Sequence, residues 1–561
     1  MFRLLAAIGF ACLLVFTASS PHGAVANTVH NLSATGPGAI KAPGVGDICI
    51  FCHTPHNAKP AQGLWNRALP GVMYKLYVSS TLEAALKQPT GASRLCLSCH
   101  DGTMALGNLR VPPSSGPVTL SPLTGRASLG TDLSDDHPIS FVYDRALALK
   151  QIQLADPATL PKAIRLDTTQ QLQCTSCHDP HEDRYRKFLR MDNRAAALCT
   201  GCHRLKNWSW SAHATSTATW RGTGTSPWPY TPYNTVTENG CGNCHRPHAA
   251  PRPPRLLGSH QERSVCLVCH NGSVAAKNLE GEFLKFSAHP IASTDWTHDP
   301  REDPNTMPRH VTCADCHNPH QAVSRPGSPP LASGQLLGVR GLNISGGIVA
   351  ESFYEYEVCL KCHGIKDQIT PGIVRKDNIR NIRLKINPSN PSYHPIAAVG
   401  RNSTIQGLEP GYTASSIIYC TDCHNNNEWT TAGTRPRGPH GSQYEPILER
   451  EFQAGDPVTE SFSSYALCYK CHNRSTLLST GRFPHRKHVV DERASCAVCH
   501  DAHGSRQHIR LINFMLRDKT GKTVVTASRN QQRLEYISQG AGRGQCYLQC
   551  HGENHEPESY P

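Results

Sequence analysis

Apolar side chains are scarce in this 561-residue chain, with 38% hydrophobic residues and 7% aromatics. The 42 prolines and 44 glycines break up what apolar sequence there is, so an ordinary large hydrophobic core is excluded. Long apolar runs are lacking too. The one run, Leu4 to Phe16, falls short of the ~20 apolar residues a spanning helix needs. It follows Arg3 and precedes Ala24-Val25-Ala26, a small-x-small cleavage pattern, so residues 1–26 are expected to be a signal peptide and the mature chain to start at Asn27. Cys12 lies inside the run without a convincing lipobox.

Spare thiols are absent as well. Of 25 cysteines, the 24 beyond Cys12 fall into twelve pairs: Cys49 and Cys52, Cys96 and Cys99, Cys174 and Cys177, Cys199 and Cys202, Cys241 and Cys244, Cys266 and Cys269, Cys313 and Cys316, Cys359 and Cys362, Cys420 and Cys423, Cys468 and Cys471, Cys496 and Cys499, and Cys546 and Cys550. Every pair is followed at once by a histidine: His53, His100, His178, His203, His245, His270, His317, His363, His424, His472, His500 and His551. A disulfide framework or a set of zinc knuckles would use the thiols but would not require that histidine. CxxCH fastens a c-type haem, two thiols adding to the porphyrin vinyl groups while the adjacent imidazole takes one axial site. Twelve covalently attached haems c are therefore expected. In the last motif three residues separate the cysteines, which a wider turn absorbs.

The haems also account for the missing core. With about 45 mature residues per haem, flat apolar macrocycles replace side chains as packing material, and the haem-free chain is expected to be largely disordered.

CIFCHTPH carries a further histidine, His56, three residues past His53 and unable to reach the far face of the same haem. The offset recurs at His181, His248, His320 and His503, so each is expected to ligate a neighbouring iron. A second set lies in DHPIS, AHPIA and YHPIA, at His137, His289 and His394. Alternate motifs carry the trailing histidine, which makes a haem pair the repeating unit.

On these motifs the chain resembles the doubled-CxxCH family of multihaem cytochromes. Its opening VHNLSATGPG and closing CYLQCHGENH also resemble secreted cytochromes of metal-reducing bacteria. The family pattern implies one leading histidine per unit, at His30, His137, His213, His289, His394 and His488, and one trailing histidine, at His56, His181, His248, His320, His440 and His503. His424 is followed by Asn425-Asn426-Asn427, and His440 in GPHGS resembles a trailing histidine displaced by an insertion. FPHRKHV offers His485 beside His488, and KHVV resembles HPI more closely. Solvent exposure or propionate contact is the default for His22, His260, His298, His310, His485, His508 and His555.

The expected fold is mostly irregular, with short α-helices at the motifs and little sheet, elongated around stacked haems as six di-haem units: 27–135, 136–207, 208–287, 288–392, 393–484 and 485–561. One short helix is expected within 76–89 and a turn-rich excursion at 324–349. The segment 207–233 holds four of the seven tryptophans, which are expected to pack on haem faces rather than to form a partner or glycan surface.

The net charge of +13 is offset by about two dozen propionates if all twelve haems are present. Nucleic acid is not an expected partner, because the chain is exported and lacks a binding motif. Two imidazoles on every iron leave no site for substrate, and no methionine occupies a repeated ligand position, so low-potential electron relay is expected rather than enzymatic activity. The resemblance implies transfer across the periplasm or outer surface, with other cytochromes, an outer-membrane porin conduit or extracellular acceptors as partners. Two other readings are open. One is a reductase of nitrite, a sulfur oxyanion or a metal with one open haem, although no CxxCK occurs. The other is a subunit polymerising into a haem filament, exchanging His30 or His555 between copies.

Overall fold

The computed structural model describes residues 23–560 apart from 59–62, 293–296, 366–371, 404, 406, 431–432, 434, 480–482 and 541–542. His22 and most of the expected signal segment lie outside the described residues; Gly23–Ala26 forms one helical turn. Among the described residues no helix is long and apolar enough to cross a membrane.

Two compact units emerge, one of Met1–Val78, Leu82–Arg204 and Pro247–Ala249, the other of Ser79–Thr81, Leu205–Arg246 and Ala250–Pro561. Both are mostly irregular, with short helices and small sheets. Neither has one central core. The first unit holds separate clusters around Phe51, around Leu97 and around Tyr143. The second has clusters around Trp228, Leu360 and Tyr465, and a larger one around Met515. This dispersal fits a chain whose apolar residues are too few to make one core.

Helices form where the haem motifs are. Gly91–His100, Glu262–His270 and Glu355–His363 each run into a CxxCH without a trailing histidine and end on its histidine. The trailing-histidine motifs make single turns instead, Cys174–Cys177, Cys313–Cys316 and Cys496–Cys499 among them. The residue before the second cysteine caps two of these turns: Gln173 N–H donates to Ser176 Oγ at 3.0 Å and Thr312 N–H to Asp315 Oδ2 at 2.7 Å. The turn stops because the next histidine is extended, with φ −115° and ψ 144° at His178 and φ −130° and ψ 131° at His317.

Two expectations need revision, and the turn-rich excursion at 324–349 gains one detail. Residues 77–89 are not helical; Lys75–Leu76 pairs in parallel with Asp132–Leu133, and the Gln88 side chain holds both the N–H and C=O of Tyr74. The excursion at 324–349 does contain order, a hairpin of Gly341–Leu342 with Ile348–Val349. The twelfth motif lies in a strand, Arg543–Cys550, between Glu535–Gly540 or Val525–Thr526 on one edge and Glu553–Tyr560 on the other. Cys546 and Cys550 both pack against the cluster around Met515.

Candidate haem centres

All 24 motif cysteines are free, with no disulfide among the described residues. Burial, the main cause in each case, pushes the Cys52, Cys177, Cys316 and Cys423 thiols up to about 12. Thiols of successive motifs come within hydrogen-bonding reach at Cys96 and Cys174, at Cys266 and Cys313, and at Cys359 and Cys420. The second motif of one expected unit thus abuts the first motif of the next.

Each trailing-type motif histidine is aimed by a carbonyl further along the chain. His53 Nδ1 donates to Gly63 O at 2.7 Å, His178 to Lys187 O at 2.8 Å, His245 to Arg255 O at 2.8 Å, His317 to Gln335 O at 3.0 Å, His424 to Pro446 O at 3.0 Å and His500 to Arg510 O at 2.8 Å. His100 does the same to Ala127 O at 2.7 Å. With Nδ1–H occupied, the Nε2 lone pair is left to face a metal.

Facing histidines are then found opposite the motif histidines. His53 lies opposite His181, His178 opposite His248, His245 opposite His320, His317 opposite His440 and His424 opposite His503, with ring centroids 6.1–6.2 Å apart. His100 lies opposite His30, His203 opposite His137, His270 opposite His213, His363 opposite His289 and His472 opposite His394, at 6.1–6.5 Å. Two imidazoles bound trans to one iron at about 2 Å have ring centres about 6 Å apart. The two sets differ in ring orientation. Interplanar angles run from 5° to 38° in the first set and from 45° to 78° in the second.

The order of these pairs follows a rule: a leading histidine faces the second motif of its own unit, and a trailing histidine faces the first motif of the preceding unit. Backbone contacts place them. His30 Nδ1 donates to Pro180 O at 3.0 Å, His213 to Pro319 O at 3.0 Å and His289 to Pro439 O at 2.6 Å, each carbonyl immediately preceding a trailing histidine. His394 Nδ1 bonds Ala502 O in the same way, and His137 N–H donates to Pro247 O at 2.8 Å.

Sequence reading missed a further signal, the Gly-Ser after two trailing histidines. Gly441–Ser442 pairs antiparallel with Ser287–Ala288, and Gly504–Ser505 with Ser392–Tyr393, the residues just before His289 and His394. A Cβ at Gly441 would collide with the Glu282 carbonyl, and one at Gly504 with the Lys385 carbonyl.

Burial keeps the rings neutral, the form that ligates. It lowers His270, His363, His424 and His472 to about 4 and His440 to about 3.

Four expected ligands or motif histidines stand outside these pairs. His56 is exposed. His488 stacks on Phe483 at 4.9 Å and bonds Pro484 O at 3.0 Å. Burial first, then nearby His500, lowers the neighbouring His485 to about 4. His551 points its Nε2 to Asp456 Oδ2 at 2.8 Å. His30, considered for exchange between copies, faces His100 instead. His298 and His310 are not surface residues, as the default had them; they converge on carboxylates in a buried cluster. Among the tryptophans, Trp208 sits edge-on to His320 at 6.1 Å, Trp228 is buried beside Val236 and Val274, and Trp210 is exposed.

Free thiol pairs each followed by a histidine, ten of which face a second imidazole, together with the matches below, make this chain a multihaem c-type cytochrome, with haem c covalently bound at paired CXXCH motifs. The doubled CXXCH motif family model matches residues 168–207 and 234–275, which contain the third to sixth motifs. The chain is also similar to the multiheme cytochrome MtrA of Shewanella baltica (strain OS185), 25% identical over 167 residues that cover 27% of this chain and 37% of that protein.

Proposed function

We propose that the chain is a dodecahaem electron carrier whose haems are held in six pairs and passed through in sequence order. The ten facing histidine pairs, each joining one CxxCH histidine to one expected distal histidine at 6.1–6.5 Å, carry this reading. A CxxCH-x-x-H turn that supplies the proximal ligand of one iron and the distal ligand of another fastens two haems to one short peptide, which favours rapid exchange between them. In this reading His485 lies opposite His500, and the haems are coordinatively saturated and serve relay rather than substrate conversion. The signal-like N-terminus and the similarity to MtrA support an exported carrier of the periplasm or outer surface, delivering electrons to other cytochromes, a porin conduit or an extracellular acceptor. Intact-mass measurement of the mature holoprotein is expected to give twelve covalent haems, with absorption and EPR spectra of six-coordinate low-spin iron. Fewer haems, or iron that is mostly high-spin, refutes it.

One observation favours a second reading, a reductase. The contact from His551 Nε2 to Asp456 at 2.8 Å turns that ring toward a carboxylate. If it persists with haem bound, the twelfth iron has an open coordination position. Binding of carbon monoxide or nitrite by about one haem in the reduced or oxidised holoprotein supports the reductase, and no binding removes it.

A further inference from the structure

Between His289 and the seventh motif, a loop brings together two histidines that no haem pairing uses. His298 Nδ1 lies 3.0 Å from Glu302 Oε1 and 3.3 Å from Asp315 Oδ1. His310 Nε2 lies 3.2 Å from the same Glu302 oxygen and 3.6 Å from Asp315 Oδ2. The four ligand atoms all fall within 4.8 Å of one another. We propose that they form a second kind of metal centre in this cytochrome, a closed non-haem site for a divalent zinc-like ion.

Geometry is the first reason. A tetrahedral ion with nitrogen and oxygen ligands at about 2.0–2.1 Å has ligand-to-ligand edges of about 3.3–3.4 Å, and with Asp315 Oδ1 as the aspartate ligand the three measured edges, 3.0, 3.2 and 3.3 Å, come close to that value. Burial is the second. The His310 and Asp315 side chains are only 2% and 3% exposed, and His298 Nδ1 and Glu302 Oε1 are buried with no well-formed hydrogen bond despite their closeness. Buried polar atoms that converge at ion-pair distances without well-aligned hydrogen bonds are what an ion between them would satisfy. Orientation is the third. His310 Nδ1 donates to Pro308 O at 2.8 Å, which turns Nε2 inward as second-sphere contacts do at metal sites.

The donor set selects the ion. Two imidazoles and two carboxylates without thiolate suit a borderline divalent transition ion rather than Cu(I) or Ca²⁺. Lys361 Nζ, 2.9 Å from Asp315 Oδ1, offsets one of the two carboxylate charges, so with neutral imidazoles the cluster carries about −1 when empty and about +1 with a dication. Position suggests its role. Asp315 lies between Cys313 and Cys316, and Lys361 between Cys359 and Cys362, so an ion here braces the loop against two haem-attachment segments.

This cluster stands apart from the number of haems bound and from what they do. Holoprotein freed of loose metal by chelator and equilibrated with equimolar Zn²⁺ is expected to retain about one zinc per chain by elemental mass spectrometry, with a nitrogen and oxygen first shell in X-ray absorption at the zinc edge. The His298→Ala/His310→Ala double variant is expected to lose zinc affinity by at least about tenfold while keeping its haem content. Should that variant fail to mature, Glu302→Gln and the wild-type zinc measurement carry the test. Less than a tenth of a zinc per wild-type chain, or zinc unaffected by these substitutions, overturns the proposal.

Discussion

Replacing His440 with alanine tests the haem assignment at the position where sequence was least explicit. This ring lies opposite His317, 6.2 Å away and 18° from parallel, and it is buried. In the proposed assignment His440→Ala leaves the iron at Cys313 and Cys316 with one axial imidazole. That iron should become five-coordinate and high-spin. Four pairs have near-parallel rings, His317 with His440 among them, so about one-fourth of the corresponding low-spin signal should vanish, or about one-twelfth of total iron if every motif is loaded. Truncating a buried ring also leaves a cavity costing about 2–4 kcal/mol, so haem content must be measured beside spin state. The assay is low-temperature EPR with haemochrome quantification and intact mass, and His260→Ala, at an exposed ring outside every pair, is the control. A His440→Ala protein with full haem content and a low-spin spectrum superimposable on wild type refutes the pairing.

Three further outcomes are expected. The two sets of interplanar angles should give two low-spin ferric populations in comparable amounts, one rhombic from near-parallel rings and one strongly anisotropic from crossed rings, and a single uniform signal contradicts the geometry. Gly441→Ala should cost about 1–3 kcal/mol in denaturant melts of the holoprotein and raise the high-spin fraction, because a Cβ there collides with the Glu282 carbonyl and displaces the neighbouring His440. Burial, opposed by hydrogen bonds from Thr421, raises Glu355 from 4.5 to about 7 in the fold. The folded state therefore binds the proton more tightly than the unfolded chain. Its stabilising contribution is complete below pH ~4.5 and lost as pH rises through about 7, on the order of 3 kcal/mol in all, and Glu355→Gln should flatten that part of the stability profile.

The motif cysteines and their histidines were legible because haem attachment is local chemistry. Five residues such as Cys174 to His178 contain both thioether sites and one axial ligand, so their spacing is set by covalent geometry. The sparse core was legible for a related reason, since composition limits how much apolar area any fold can bury. The trailing and leading histidines were visible as candidates through repetition, including His440 across its insertion. The helix expected within 76–89 was not borne out, since local propensity there yields to the strand pairing of Lys75–Leu76 and the Gln88 side-chain bonds. The strand at Cys546 to Cys550 was missed because it is fixed by pairing with segments on both of its edges, which local spacing does not reveal.

The sequence by itself determined where haem is fastened, because thiols and proximal imidazole must be neighbours in the chain. Only the tertiary structure decided which distant histidine faces which motif histidine. His181 reaches His53, and His440 reaches His317, from more than a hundred residues away, placed by backbone contacts that no motif encodes. It also decided the ring planes, and the gathering of His298, Glu302, His310 and Asp315, for the same reason: these depend on which distant segments share a burial site, and chain spacing does not fix that.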